Sequence, residues 1–325
     1  MGRSIVIVGA GVIGLDVALL LAEAGANFSA ISGGDANALR WDKYGYQHMM
    51  KLAEDHGTEA CISKTPSFEY WDEMPSRAKI ESMAEYLREF KVLSSSDIPE
   101  GCKFGVAFRT ITVNAPRYIQ YLYQELQEQY GVRFVRKKLP SVEAAFTDVS
   151  TKVVFNCTGN GARHLSGVED IKCYPTRGQI LLTRAPQIAK NVMRHGKDYE
   201  TYIIPRPQSN GNVILGGYMQ KDVSTGDTFS SEPASIVERT TTLLPELLAP
   251  SMEVLAAFSG LRPSREGGAR VERTSIKLDR SRNGIVVHNY GAGGTGFQAG
   301  LGMARDAVGA VEDALHSLPR ERSRL

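Results

Sequence analysis

The sequence predicts an α/β chain in which a parallel-sheet, dinucleotide-binding domain is interleaved with a mostly antiparallel sheet lobe. Three observations carry this. Residues 4–14, SIVIVGAGVIG, run from a β-branched strand through Gly9, Gly11 and Gly14, in G-x-G-x-x-G spacing, into the helical stretch LDVALLLAEAG. Residues 178–184, 200–206 and 212–218 are three apolar strands in succession with no helix between them, the mark of antiparallel pairing. Close to the C-terminus the chain returns to strand, glycine loop and long helix in IVVHNYGAGGTGFQAGLGMARDAVGAVEDAL. The expected division is therefore 1–175 mainly cofactor-binding, with 270–320 returning to it, and 176–269 mainly substrate-binding.

Each glycine of the first turn has a mechanical task. Gly9 permits the tight turn, Gly11 lets the backbone approach a pyrophosphate, and Gly14 lets helix and strand pack closely. Ala10, Val12 and Ile13 complete that turn. The helix start then aims peptide N–H groups at the phosphates. The second strand is expected at NFSAIS, residues 27–32, followed by Gly33, Gly34 and Asp35. Asp35 is the local candidate for the ribose hydroxyls; the alternative is a solvated turn residue.

Residues 40–57 predict a helix ending at Gly57, and 76–90 a charged helical segment. The stretch from Gly105 to Phe146 predicts strand, turn, helix, strand. Thr112, Asn114 and Pro116 mark the helix start, and Tyr118, Leu122 and Leu126 supply its apolar stripe. KVVFNCT, residues 152–158, is another buried strand and ends in a second glycine cluster, Gly159 and Gly161. A helix is expected near 232–245. The loop GAGGTG, residues 291–296, precedes a helix rich in Ala299, Gly300, Gly302 and Ala304. Such a loop presents backbone N–H groups to a ligand, or else serves close packing of helix on sheet.

Bulk properties exclude several classes. The chain has 325 residues, 42% of them hydrophobic and 23% charged, with a net charge of +2, so nothing calls for a nucleic acid or an anionic membrane as partner. There is no apolar run long enough for a membrane-spanning helix, and the opening strand lacks a signal-peptide pattern. Cys61, Cys102, Cys157 and Cys173 show no metal-like spacing and read as reduced thiols, with a disulfide between two of them left open. The six histidines are scattered.

Taken together, VIVGAGVIGL at the start, RGQI at 177–180, YIIPRP at 202–207, GLRPSREGGARVE at 260–272 and VVHNYGAGGTGFQAG at 286–300 resemble the D-amino-acid oxidase family of FAD-dependent oxidases. The resemblance spans nearly the whole chain. It implies a Rossmann-like FAD-binding domain and non-covalent FAD. It also implies oxidative deamination of a D-amino acid, with oxygen reduced to hydrogen peroxide. Hydride passes from the substrate α-carbon to flavin N5 without an essential protein acid or base, so catalysis is orientation and electrostatics.

Carried over residue by residue, Arg262 in GLRP forks onto the substrate α-carboxylate, a bidentate task suited to a guanidinium. Tyr202 in YIIP donates its phenol to the same carboxylate, Tyr218 lies beside the substrate, and Gly294 offers a carbonyl to the substrate amine. Gly293, Gly294, Thr295, Gly296, Phe297 and Gln298 line the flavin. Leu139, Thr158, Gly159 and Gly161, with Arg163 nearby, form a second cofactor-facing stretch. One departure stands out. ISGGDANALRW passes almost directly from strand to helix, so roughly fifteen to twenty positions of the family's usual flavin loop are missing: either the loop is shortened, or the natural protein has residues that this chain lacks.

Within the family, acidic and neutral substrates are split by what faces the side chain. Arg194, with Lys197 as alternate, falls where the D-aspartate oxidases carry a side-chain-binding arginine, whereas their other acid-binding position is Met219 here. The resemblance thus favours D-aspartate or D-glutamate, with a neutral D-amino-acid oxidase as the alternative. A relative acting on glycine or a secondary amine would lack Arg262 and Tyr202 in these contexts. A non-catalytic flavin-binding relative is the reading that the short loop suggests. Ser323-Arg324-Leu325 resembles a peroxisomal address, read by an import receptor. Oligomeric state is left open.

Overall fold

The computed structural model describes residues 4–9, 11, 13–15, 35–197, 199–248 and 252–317. The expected strand at 27–32, the cofactor candidates Ala10 and Val12, and the terminal tripeptide 323–325 lie outside the described residues.

In chain order the strands and helices are β1 Ser4–Val8, α1 Ala36–Asp55, β2 Ile62–Trp71, α2 Arg77–Tyr86, β3 Lys91–Val92, β4 Phe104–Val113, α3 Ala115–Glu128, β5 Thr151–Asn156, β6 Cys173–Arg184, β7 Asn191–His195, β8 Glu200–Pro205, β9 Asn212–Gly216, β10 Gln220–Lys221, α4 Glu232–Leu243, β11 Glu253–Arg265, β12 Arg270–Lys277, β13 Asn283–Tyr290, α5 Gly296–Gly309 and α6 Glu312–Ser317. They pack as two units. The first comprises Met1–Ala26, Ile119–Tyr174 and Pro263–Leu325; the second comprises Asn27–Tyr118 and Pro175–Arg262. The described segment 35–118 groups with the second unit, while the sequence reading assigned 1–175 mainly to cofactor binding. Its strands β2 and β4 pair with each other, and β2 pairs with β7, so sheet pairing rather than sequence proximity decides its home.

In the first unit the strand order is β1-β5-β13-β12. β1 and β13 both run parallel to β5, which sits between them, and β12 closes the edge antiparallel. Val154 and Val286 lie side by side in this sheet and pack with Val142, Ala145 and Phe146 on one face. Because β1, β5 and β13 are parallel, the three glycine loops that follow them all leave from the same rim.

In the second unit the order is β10-β6-β9-β8-β7-β2-β4-β3, with β11 also paired to β6. The pairs β6–β9, β9–β8 and β8–β7 are antiparallel, as the run of consecutive strands predicts, whereas β2 and β7 are parallel. Leu181, Val192, Ile203, Val213 and Leu215 form one face of this sheet, and Ile236 of α4 is buried with them.

Tyr118, Leu122 and Leu126 are buried, as the periodicity of α3 predicts. Two expectations are corrected. Among the described residues the strand expected between α3 and Phe146 finds no pairing partner: Val132 and Phe134 are half-buried, and the basic residues of the segment are exposed. The long C-terminal helix breaks near Ala310 into α5 and α6. All four cysteines are free.

Candidate active site

The cofactor elements are built into the first unit. Gly9 has φ +110°, and a β-carbon there would stand 2.4 Å from the Cys157 carbonyl oxygen; one at Gly14 would stand 1.9 Å from the Gly9 oxygen. Both positions therefore demand glycine. A β-carbon at Gly11 would meet nothing within 4 Å. Among the described residues nothing requires a glycine at position 11, which leaves bare backbone where a pyrophosphate would approach. Ile13 is buried, and the Leu15 N–H donates to the Gly11 carbonyl at 3.0 Å, starting the helix.

At the end of β5, the Thr158 hydroxyl donates to Asn156 Oδ1 at 2.7 Å, and Asn156 Nδ2 lies 3.2 Å from His288 Nδ1 of β13. Burial pushes His288 down to about 4, with Arg270 adding to the effect, so its ring is neutral. Gly159 takes φ +56° against Pro263, and the Gly161 N–H donates to the Thr158 carbonyl. After β13, Gly293 takes φ +58°, Thr295 Oγ1 donates to the Ala292 carbonyl at 2.8 Å, and the Thr295 side chain makes no cap to α5. Gly296, Phe297 and Gln298 form the first turn of α5, the end of a helix whose peptide dipoles favour negative charge. Gly294 is exposed, and Gln298 is buried.

Three of the expected positions have partners within the protein. Asp35 is the N-cap of α1: its Oδ1 accepts from the Asn37 and Ala38 N–H groups at 3.1 and 3.0 Å, which gives it a local helix-capping role. Arg163 is taken up by the backbone, Nη1 donating to the carbonyls of Ile171 and Cys173 at 2.8 and 2.6 Å. Leu139 packs against the Val142–Val154–Val286 core cluster.

The elements expected to bind substrate gather in the second unit. Tyr202 pairs with Gly216 of β9, and Gly216 with Ile180 of β6, so all three share a sheet face; Gly178, two residues before Ile180, shares it too. Arg262 Nη1 donates to the Tyr218 carbonyl at 2.8 Å, and Nη2 donates to the Tyr202 hydroxyl at 3.3 Å. Two glycines make room for the phenol: a β-carbon at Gly216 would stand 2.2 Å from Tyr202 Cζ, and one at Gly217 would stand 2.5 Å from its hydroxyl. The peptide between these glycines is cis. Burial raises the Tyr202 phenol, and Arg262 pulls it only part of the way back, so it keeps its proton at neutral pH. Because its oxygen accepts from Arg262, that proton is available to a further acceptor. Among the described residues no carboxylate pairs with Arg262. Of its five N–H donors, two are used in these contacts.

The expected side-chain anchor lies elsewhere. In β7 and β8, Met193 pairs with Tyr202 and Arg194 with Thr201, so Arg194 and Tyr202 emerge on opposite faces. Arg194 Nε donates to Asp72 Oδ1 at 2.8 Å, and Tyr199 donates to Asp72 Oδ2 at 2.5 Å. Burial opposes charge on Asp72, but the Tyr199 and Arg194 hydrogen bonds outweigh it and hold the carboxyl below its usual range. Lys197 and Met219 are exposed. Register therefore places Arg194 on the sheet face opposite Tyr202.

One cluster escapes sequence reasoning altogether. His195 Nδ1 lies 2.7 Å from Glu200 Oε2 and Nε2 lies 3.1 Å from Glu69 Oε2, while its ring stacks on Trp71 at 4.6 Å. Burial opposes its charge, yet the two carboxylates win and raise it to about 9. Glu69 is distant in sequence and no motif links it to His195.

The comparisons agree with this architecture. A family model described as FAD dependent oxidoreductase (DAO) matches residues 25–309. The chain is 41% identical to a D-amino-acid oxidase of Schizosaccharomyces pombe, over 94% of this chain and 95% of that protein. It is 28% identical to a D-aspartate oxidase of Cryptococcus neoformans var. grubii, over 94% and 96% of the two chains. Among solved structures, an L-proline dehydrogenase from P. horikoshii has a TM-score of 0.73 at 14% identity, over 98% of this chain and 95% of that one. Glycine oxidase from Geobacillus kaustophilus has a TM-score of 0.67 at 16% identity, over 98% and 99%. These two likenesses speak to fold. The chain belongs to the D-amino-acid oxidase family of FAD-dependent oxidoreductases. FAD is its cofactor, and the glycine rim of the first unit fits that group: Gly9 and Gly14 hold the turn while Gly11 leaves its approach bare.

Proposed function

We propose that this protein oxidatively deaminates free D-amino acids with neutral side chains, yielding a 2-oxo acid, ammonia and hydrogen peroxide, with oxygen as the electron acceptor. The carrying observation is Arg262: a half-buried guanidinium with no carboxylate partner among the described residues, aligned by the Tyr218 carbonyl and the Tyr202 hydroxyl. The free donors of Arg262 take the two oxygens of the α-carboxylate, and the Tyr202 phenol donates to one of them. That fixes the α-carbon without any proton transfer to the protein. Bound FAD, held non-covalently, supplies the two-electron acceptor for the α-hydrogen.

The neutral preference rests on Arg194. Its charge is answered by Asp72 on the other sheet face from Tyr202, so a side-chain carboxylate bound beside Tyr202 would be desolvated without that partner. The greater identity to a D-amino-acid oxidase than to a D-aspartate oxidase points the same way. The test is peroxide release over a panel of D-amino acids, their L-enantiomers and glycine. D-alanine and larger neutral D-amino acids should exceed D-aspartate in kcat/KM. D-aspartate in first place would restore the acidic reading, and no turnover by a flavin-loaded protein would sink both. Ser323-Arg324-Leu325 is proposed as a peroxisomal address, tested by moving the tripeptide onto the terminus of a fluorescent reporter.

A further inference from the structure

Gly178 lies against the face of the Arg262 guanidinium. A β-carbon at this position would stand 2.2 Å from Nη1, 2.5 Å from Cζ and 2.6 Å from Nη2. All three atoms at once can be so close only if the guanidinium lies over the bare α-carbon. The flanking residues pin that α-carbon. Arg177 and Gln179 are fully buried and, by strand alternation, point to the opposite face. There Arg177 donates to the Asp227 carbonyl, to Gln220 Oε1 and to both carboxylate oxygens of Glu232. Gln179 exchanges two hydrogen bonds with the Phe229 backbone, at 3.0 and 2.7 Å. The arginine also sits 3.9 Å from the centre of the Phe229 ring.

The consequences differ for the two sides of the contact. Backbone at 178 is anchored through both neighbours, whereas Arg262 reaches it with the far end of a flexible side chain. If a methyl group were added, the guanidinium would move and the strand would stay. We propose that Gly178 is a positioning residue for substrate binding: it is the floor that sets the plane of the Arg262 fork, while the Tyr218 carbonyl and Tyr202 hydroxyl set its rotation within that plane. This rests on the reading of Arg262 as the carboxylate anchor. It adds that the arginine's orientation is imposed from the RGQ segment of β6.

The test uses the FAD-loaded protein and two probes, D-alanine turnover and binding of propanoate, a carboxylate without an amine, followed by flavin absorbance. Gly178→Ala should raise both the KM for D-alanine and the propanoate Kd by at least about tenfold, since a misplaced fork loses geometry rather than charge. Melting temperature and flavin content should stay at parental values. Gly260→Ala is the control, because a β-carbon at Gly260 of the same strand as Arg262 meets nothing within 4 Å; it should change neither probe. If Gly178→Ala alone loses stability or flavin, adding Arg262→Leu should restore both by removing the colliding atoms. Unchanged KM and Kd in Gly178→Ala would overturn the inference, as would instability that Arg262→Leu does not relieve. A parent that binds propanoate in a Gly178-dependent way but oxidises no D-amino acid would leave this contact standing and remove the proposed activity. A parent that binds no propanoate would remove the anchor itself.

Discussion

Arg194 and Tyr202 sit on hydrogen-bonded neighbouring strands and emerge on opposite faces of the sheet, because Met193, not Arg194, pairs with Tyr202. A one-residue offset separates the arginine salt-bridged to Asp72 from the tyrosine hydrogen-bonded to Arg262. Arg194→Leu should therefore act through the fold. Removing it leaves Asp72, half-buried, with Tyr199 as its remaining close donor, at a cost of about 1–2 kcal/mol, discounted for exposure. The kcat/KM values for D-alanine and D-aspartate should fall together, by similar factors, and the melting temperature should drop. Selective loss of D-aspartate turnover would return Arg194 to the substrate site.

On the proposed reading, Arg262→Leu removes the carboxylate anchor. Truncating one partner of a buried charge pair costs about 3–5 kcal/mol. Each 1.4 kcal/mol is about tenfold, so kcat/KM should fall at least about a hundredfold for every substrate. Flavin content should be retained, since the glycine rim belongs to the other unit. Steady-state kinetics with flavin quantitation decides it, and a loss below about fivefold would take Arg262 out of the site.

The Glu69–His195–Glu200 cluster ties stability to pH. The folded-state value of His195 is raised from 6.5 to about 9, so the folded state binds the proton more tightly than the unfolded chain. The resulting stabilisation is complete below about pH 6.5 and is lost as pH rises through about 9, on the order of 3 kcal/mol in full. Urea midpoints between pH 6 and pH 10 should fall across that window. His195→Gln should start lower and lose the slope. A variant with the parental slope would assign it to other groups.

The glycine turn makes a separable claim about the cofactor. Gly11→Ala meets no atom of the described residues within 4 Å, so the protein should fold with its secondary structure intact. FAD should bind at least about tenfold more weakly, because the new methyl occupies the approach to the phosphates. Gly14→Ala, at 1.9 Å from the Gly9 carbonyl oxygen, should instead impair folding. Titration of the apoprotein with FAD and circular dichroism separate the two. Acid precipitation of the parent should release the flavin into solution, as expected for a cofactor without a covalent tether.

The sequence by itself determined what depends on neighbours along the chain. The spacing of Gly9, Gly11 and Gly14 after a β-branched strand, the helical stripe of Tyr118, Leu122 and Leu126, and the run of apolar strands from 178 to 218 are local patterns. Each reports its own backbone geometry. The family followed because several such patterns recur in order, and with it came FAD and the assignment of Arg262 and Tyr202. Tertiary structure decided everything that depends on pairing. Asp35 is a candidate ribose ligand or a turn residue by its distance past the glycines, and only the structure shows that it caps a helix starting at the next residue. Segment 35–118 precedes the second glycine cluster in sequence but joins the other unit, since β2 finds its partners in β4 and β7. Arg194 shares a strand face with Thr201 because strand side chains alternate with period two, and register is set by hydrogen bonds between strands. Glu69 and His195, 126 residues apart, meet only because β2 and β7 run in parallel. Gly178 meets Arg262 from a different strand altogether. Composition and spacing contain no record of those contacts; they arise when the sheet closes and each strand's faces are assigned.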